Sequence, residues 1–254
     1  MTFDSVKKKL DINPFYFTKA IEIETHNRCN YANWHTRCPI ASFKEKIIMP
    51  MEKIGGILEE LGKYDFDGTI YPFNYSEPLI DPRMFKIIEL IKWLVPKAPI
   101  ALYTNGFMVD EIMLRELQQA GVARVNISIY TPEDGIYFHE LLCKLRVENF
   151  PMILRAYQRY PMEERMNDKK EWYDANARPL KRGCPSPYKY LTITANGEMV
   201  LCCHDWKSMH VFGSIYESSL VDIIKSDKAI QTFTDLCNWE RDKYYLCARC
   251  KKHR

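Results

Sequence analysis

The sequence has no long apolar run. Its opening, Met1-Thr2-Phe3-Asp4-Ser5-Val6-Lys7-Lys8-Lys9, holds no hydrophobic core of signal-peptide length, and no later stretch is apolar for long enough to span a bilayer. A cytoplasmic protein with no membrane partner is expected. A strong charge of one sign is missing as well. Lys and Arg total 36 against 33 Asp and Glu, and the difference of +3 is too small to predict a nucleic-acid partner. What the chain does have is nine cysteines. A reducing compartment disfavours structural disulfides, and the clustering of these thiols favours metal binding over thiol–disulfide chemistry. At 254 residues there is room for one large α/β domain, or for one of ordinary size with a small appendage.

The first group of cysteines follows Ile21-Glu22-Ile23-Glu24-Thr25. Apolar and polar residues alternate there, which predicts a half-buried strand, and the chain then breaks into a polar loop holding Cys29, His35 and Cys38-Pro39. In an α/β barrel the loops converge on the active site at the C-terminal ends of the strands. Soft ligands at that end can hold a metal over the barrel mouth. The second group is Cys184, Cys202 and the two-residue-spaced pair Cys247-Ala248-Arg249-Cys250. Four thiolates suit either a zinc ion or an iron–sulfur cluster, and spacing does not choose between them. Cys143, Cys203 and Cys237 are expected to be small buried thiols.

Between the two groups, strands and helices alternate. Helices are expected from Pro50, from Pro82 to Pro96, from Asp110 to Gly121 and across Tyr137 to Leu142, with strands at 68–73, 100–103, 125–129 and 152–154. That alternation predicts a parallel sheet, open or closed. The charge-dense run Glu163 to Glu171 interrupts it and marks a boundary near residue 180. Beyond that, Tyr190 to Thr194 and Glu198 to Leu201 flank Asn196-Gly197, a hairpin signal, with a helix following at 218–224. The division is therefore 1–19 as an N-terminal lead-in, 20–180 as the main domain and 181–254 as a small cysteine-bearing domain.

These residues resemble the radical S-adenosylmethionine superfamily, in the subgroup whose C-terminal extension is the short "twitch" form of the SPASM domain. Cys184, Gly197 and Cys202, then Gly213-Ser214-Ile215, Leu220-Val221-Asp222-Ile223 and Cys247-x-x-Cys250, fit the extension. The resemblance implies a partial (β/α)6 TIM-type barrel carrying a small hairpin-plus-helix domain. It also implies that Cys184, Cys202, Cys247 and Cys250 hold an auxiliary [4Fe–4S] cluster. Asn74-Tyr75-Ser76-Glu77-Pro78 resembles the family's Gly-Gly-Glu-Pro loop with both glycines replaced, so Ser76 and Glu77, with Asn105 and Ser128 at later strand ends, are the implied S-adenosylmethionine contacts.

The first loop departs from the family's Cys-x3-Cys-x2-Cys. Cys29 and Cys38 fit its outer positions, His35 stands where the middle cysteine belongs, and the first gap is longer. Three readings follow: His35 ligates the first [4Fe–4S] cluster, as histidine does in Rieske centres; a cysteine from elsewhere completes it; or the radical site is lost and the chain is a non-catalytic iron–sulfur protein. The first is the reading adopted.

With the site intact, the resemblance implies a 5′-deoxyadenosyl radical abstracting hydrogen from a small polar substrate, a sugar, an aminocyclitol or a peptide. The expected outcome is two-electron oxidation of a secondary alcohol, with the auxiliary cluster as electron acceptor and flavodoxin or ferredoxin as donor. Epimerisation, dehydration or peptide modification are the alternatives from the same abstraction. Arg155, His204 and Asp205 are the candidates for deprotonating or polarising the carbinol.

Overall fold

The computed structural model describes residues 1–34, 38–158 and 180–250. Five strands, β1 (Ala20–Ile23), β2 (Thr69–Tyr71), β3 (Ile100–Thr104), β4 (Val122–Ile129) and β5 (Ile153–Gln158), alternate with helices α2 (Met51–Lys63), α3 (Met84–Leu94), α4 (Glu111–Gln119) and α5 (Pro132–Val147). Each helix presents an apolar stripe, such as Ile54, Ile57, Leu58 and Leu61 on α2, or Met84, Ile87, Ile88 and Ile91 on α3. Asp110 caps α4 through the Met113 N–H, Thr131 caps α5 through Asp134, and Gly121 ends the α4 segment at φ +95°.

The five strands run parallel in the order β5-β4-β3-β2-β1, and a sixth, β6 (Tyr190–Ile193), adds to β1 in parallel with Ala20 opposite Tyr190. Six parallel strands therefore make the partial barrel. β7 (Glu198–Val200) and β8 (Val211–Ser214) continue the same sheet antiparallel, so the hairpin extends the barrel wall, rather than forming a separate sheet. Gly197 takes φ +78° at its turn, as the Asn-Gly signal requires.

Because side chains alternate along a strand, the sheet has two chemically different faces. Ile21, Ile23, Ile70, Leu102, Val125 and Ile127 join the helices in one core. The opposite set lines the concave lumen: Glu22 lies beside Tyr71 and Thr192, and Tyr103, Asn126 and Arg155 stand in one row across β3, β4 and β5.

Several elements differ from expectation. Residues 1–19 contain a helix, α1 (Phe3–Ile12), closed by a Thr2/Ser5 capping box and buried through Val6 and Leu10. It packs on α8 (Asp227–Cys237), which follows the short helices α6 (Ser186–Lys189) and α7 (Leu220–Ile224). Cys143 is exposed, not buried: α5 turns Phe138, Leu141 and Leu145 inward, and Cys143 falls off that stripe, near His139 at 3.8 Å. Among the described residues no helix is long and apolar enough to cross a membrane.

Candidate active site at the barrel mouth

The polar residues that follow β1, β2 and β3 meet at the C-terminal end of the sheet. The first cysteine loop leaves β1 and returns beside it. Its base is closed by an antiparallel bridge between His26 and Ile48, by the Asn27 side chain bonded to Glu45 O and Ile47 N, and by Arg83, whose guanidinium holds Thr25 O, Met49 O and the Asp81 carboxylate. The described residues of the loop, 28–34 and 38–44, thus leave and rejoin the same strand end at the barrel mouth. Cys29 Sγ accepts the Tyr31 N–H at 3.3 Å and lies 3.8 Å from Asn105 Nδ2. Burial pushes the Cys38 thiol up to about 12, and the neighbouring Cys29 adds to the shift, so the two thiols stand within electrostatic reach. His35, the third expected ligand, lies outside the described residues.

Glu77 links the loop after β2 to the end of β3. Its carboxylate accepts Thr104 Oγ1 at 2.7 Å, Asn105 N at 2.6 Å and Leu79 N at 3.2 Å, and burial lifts its pKa to about 7 against those three donors. Asn105 in turn donates to Asn30 at 2.6 Å. Three of the expected residues, Glu77, Asn105 and Cys29, thus form one connected group. Ser76 is buried beside them, and Ser128 lies half-buried near the end of β4.

Sequence reasoning missed two buried groups here. Glu24, one residue past β1, turns its carboxylate under the next loop and accepts the N–H groups of Asn74, Tyr75 and Ser76; desolvation nevertheless raises its pKa. Its only signal was its place in the alternation. Asn126 is fully buried on the lumen row, and its Oδ1 has no partner among the described residues. A buried acceptor left unpaired costs on the order of 1–3 kcal/mol.

The second cysteine group gathers from three segments. Cys184 is tied by its N–H to Leu236 O, Cys202 follows β7, and Cys247 lies on the short helix α9 (Tyr245–Ala248) with Cys250 just beyond. Burial raises the Cys202 thiol well above its ordinary value, with Cys203, Cys247 and Cys184 contributing. The Cys247 thiol is pushed to about 12 by burial, then by Cys184 and Cys250. Four cysteines drawn from three segments are, once deprotonated, a donor set that an iron–sulfur or zinc centre suits. Buried Arg241, anchored to Arg182 O and Gly183 O, places a positive charge beside Cys247. Among the described residues no three His, Cys, Asp or Glu side chains are already drawn together tightly enough to hold a metal ion.

The remaining candidates are dispersed. Arg155 is exposed on the lumen face with Tyr157 as its hydrogen-bond partner. His204 turns its main-chain N–H toward Cys202. Asp205 is buried, and its two oxygens accept the N–H groups of Met209 and His210 at 2.8 and 2.9 Å. Between the two cysteine loops lies a cavity of about 330 Å³ lined by Asn27, Phe43, Glu45, Asn74, Asn196 and Trp206, among others.

Comparison with known proteins fits this arrangement. Residues 184–251 match the SPASM iron–sulfur cluster-binding domain. The chain is 24% identical over 242 residues to the S-adenosyl-L-methionine-dependent 2-deoxy-scyllo-inosamine dehydrogenase of Niallia circulans, covering 91% of each. Its fold is similar to that of BtrN crystallised with AdoMet and 2-DOIA, at a TM-score of 0.74 and 22% identity, covering 92% of this chain and 93% of that one. It is also similar to anSMEcpe with bound AdoMet, at a TM-score of 0.59 and 14% identity, covering 91% and 84%. Residues 23–163, more than half of the chain, match the radical SAM superfamily, and the protein belongs to that family.

Proposed function

We propose that this protein is a radical S-adenosylmethionine dehydrogenase that oxidises a secondary alcohol of a small aminocyclitol-like substrate. The observation that carries the reading is the meeting of Cys29, Asn105 and Glu77 at the barrel mouth of a chain whose second cysteine group lies against the same sheet. Cys29 and Cys38, with His35 as third ligand, would hold the first [4Fe–4S] cluster, and Cys184, Cys202, Cys247 and Cys250 the auxiliary one. Bound there, the reduced cluster and S-adenosylmethionine supply a 5′-deoxyadenosyl radical able to take hydrogen from an unactivated carbon.

The chain's own residues then have defined tasks. Glu77, buried and near neutrality, is suited to receive the cofactor's ammonium group, whose charge would return it to the carboxylate form. Asn105, Ser76 and Ser128 would complete that pocket. Arg155 faces the lumen in one row with Tyr103 and Asn126, where a permanent cation would polarise the carbinol oxygen. His204, from the Cys202 segment, would be the alternative group at the carbinol, as a base for its proton. We assign Asp205 to holding the turn that carries Cys202, because both of its oxygens already serve main-chain donors. The cavity between the loops, with amides on its walls and Phe43 and Trp206 beside them, suits a polyhydroxylated ring. A small reduced carrier, flavodoxin or ferredoxin, would deliver the electron.

Anaerobic reconstitution followed by reductant and S-adenosylmethionine tests the proposal. We expect reductant-dependent 5′-deoxyadenosine, lost in His35→Ala and retained in His35→Cys. Absence of 5′-deoxyadenosine from the reconstituted parent protein would remove the catalytic reading.

A further inference from the structure

Tyr75 occupies one of the two loop positions where the family carries glycine, and its side chain does what glycine cannot. Its hydroxyl donates to the main-chain carbonyl of Cys203, 128 residues away and one residue past Cys202. Its ring meets Phe43 edge to face, with centroids 6.4 Å apart, and Phe43 lies five residues beyond Cys38. Its own N–H is fixed to Glu24 Oε2 at 2.7 Å. The phenol is within electrostatic reach of Cys38, Cys202 and Cys203 together. One residue is therefore pinned at its main chain to the end of β1, at its ring to the first cysteine loop and at its hydroxyl to the second.

We propose that Tyr75 is a positioning residue that tethers the Cys202–Cys203 segment to the barrel mouth and so fixes the separation of the two cysteine sites. That separation matters for two reasons. Electron exchange between a substrate in the lumen and a centre held by Cys202 falls steeply with distance. A hydrogen bond to the peptide beside a ligating cysteine also orients that ligand and tunes the centre. The inference rests on the radical S-adenosylmethionine reading for its consequence, though not for the tether itself.

Tyr75→Phe in the reconstituted full-length protein keeps the ring and its Phe43 contact while deleting the hydroxyl. A typical hydrogen bond contributes about 1 kcal/mol net. Amide exchange across residues 202–205 should accordingly accelerate by about fivefold, with β2 and β6 unchanged. In the same protein, an EPR-monitored titration should show a displaced midpoint potential for the auxiliary cluster and the parent's iron content. Parental exchange at residues 202–205 would overturn the tether. Faster exchange with an unmoved potential would reduce Tyr75 to ordinary loop support and overturn its positioning role. A parent protein that makes no 5′-deoxyadenosine would sink the enzymatic reading instead, and the exchange comparison would still decide the tether.

Discussion

Glu77 is the side chain whose chemistry is most exposed to experiment. Three donors stabilise its carboxylate, yet desolvation dominates and holds its pKa near 7, above the ordinary 4.5. A carboxyl whose pKa is raised by folding binds more protons in the folded chain than in the unfolded one between those values. Its contribution to stability therefore falls as pH rises through that window, by roughly 3 kcal/mol in all. Urea denaturation of the cofactor-free protein between pH 5 and pH 8 should show that decline, flattened in Glu77→Gln. Bound S-adenosylmethionine should also flatten it, since an ammonium partner lowers the carboxyl's pKa again. The Glu77-Pro78 pair was legible in the sequence as a motif. Glu24 was not, because an alternating strand names its inward residues without saying which will find three backbone amides above it.

The hairpin of β6 and β7 connects both halves of the site. Gly197 at its turn takes φ +78°, and a Cβ there would stand 2.5 Å from Tyr216 Cε2 and 2.8 Å from Ile215 Cγ1. Left-handed strain of about 1–2 kcal/mol and overpacking of similar size add up, so Gly197→Ala should lower unfolding free energy by roughly 2–4 kcal/mol. Chemical denaturation checks the size, and loss of the auxiliary cluster proposed for Cys202 before global unfolding would show where the strain is felt. The turn itself was predictable from Asn196-Gly197. That β6 would join β1, and not stay within its own small domain, was not: five strands leave two open edges, β5 and β1, and pairing between strands about 170 residues apart is settled by tertiary packing that no local pattern encodes. The helix in residues 3–12 was missed for a similar reason. Its apolar stripe is only Val6 and Leu10, with Phe3 partly buried, and it gains its burial from α8 at the other end of the chain.

For the whole molecule, the decisive measurement is iron stoichiometry. Two [4Fe–4S] centres predict about eight irons per reconstituted chain. Cys247→Ala should leave about four, with 5′-deoxyadenosine still formed in excess over oxidised product, because the second group of thiols would lose one of its four donors. Elemental analysis alongside the nucleoside assay checks this. Zinc without sulfide in the parent protein would contradict the two-cluster scheme.

Local chemistry was readable without coordinates wherever the signal lay within a few residues. The helix stripes, the Asn-Gly turn and the Cys-x-x-Cys pair all follow from side chains interacting over one or two turns of backbone. What folding alone supplied are the relations between distant segments. These include Glu77 meeting Thr104 and Asn105, and the Tyr75 hydroxyl reaching Cys203. Cys143, by contrast, fell off the inward stripe of its helix. Such relations depend on sheet order and on how one desolvated group shares its donors with another, and neither quantity is written in the spacing of residues along the chain.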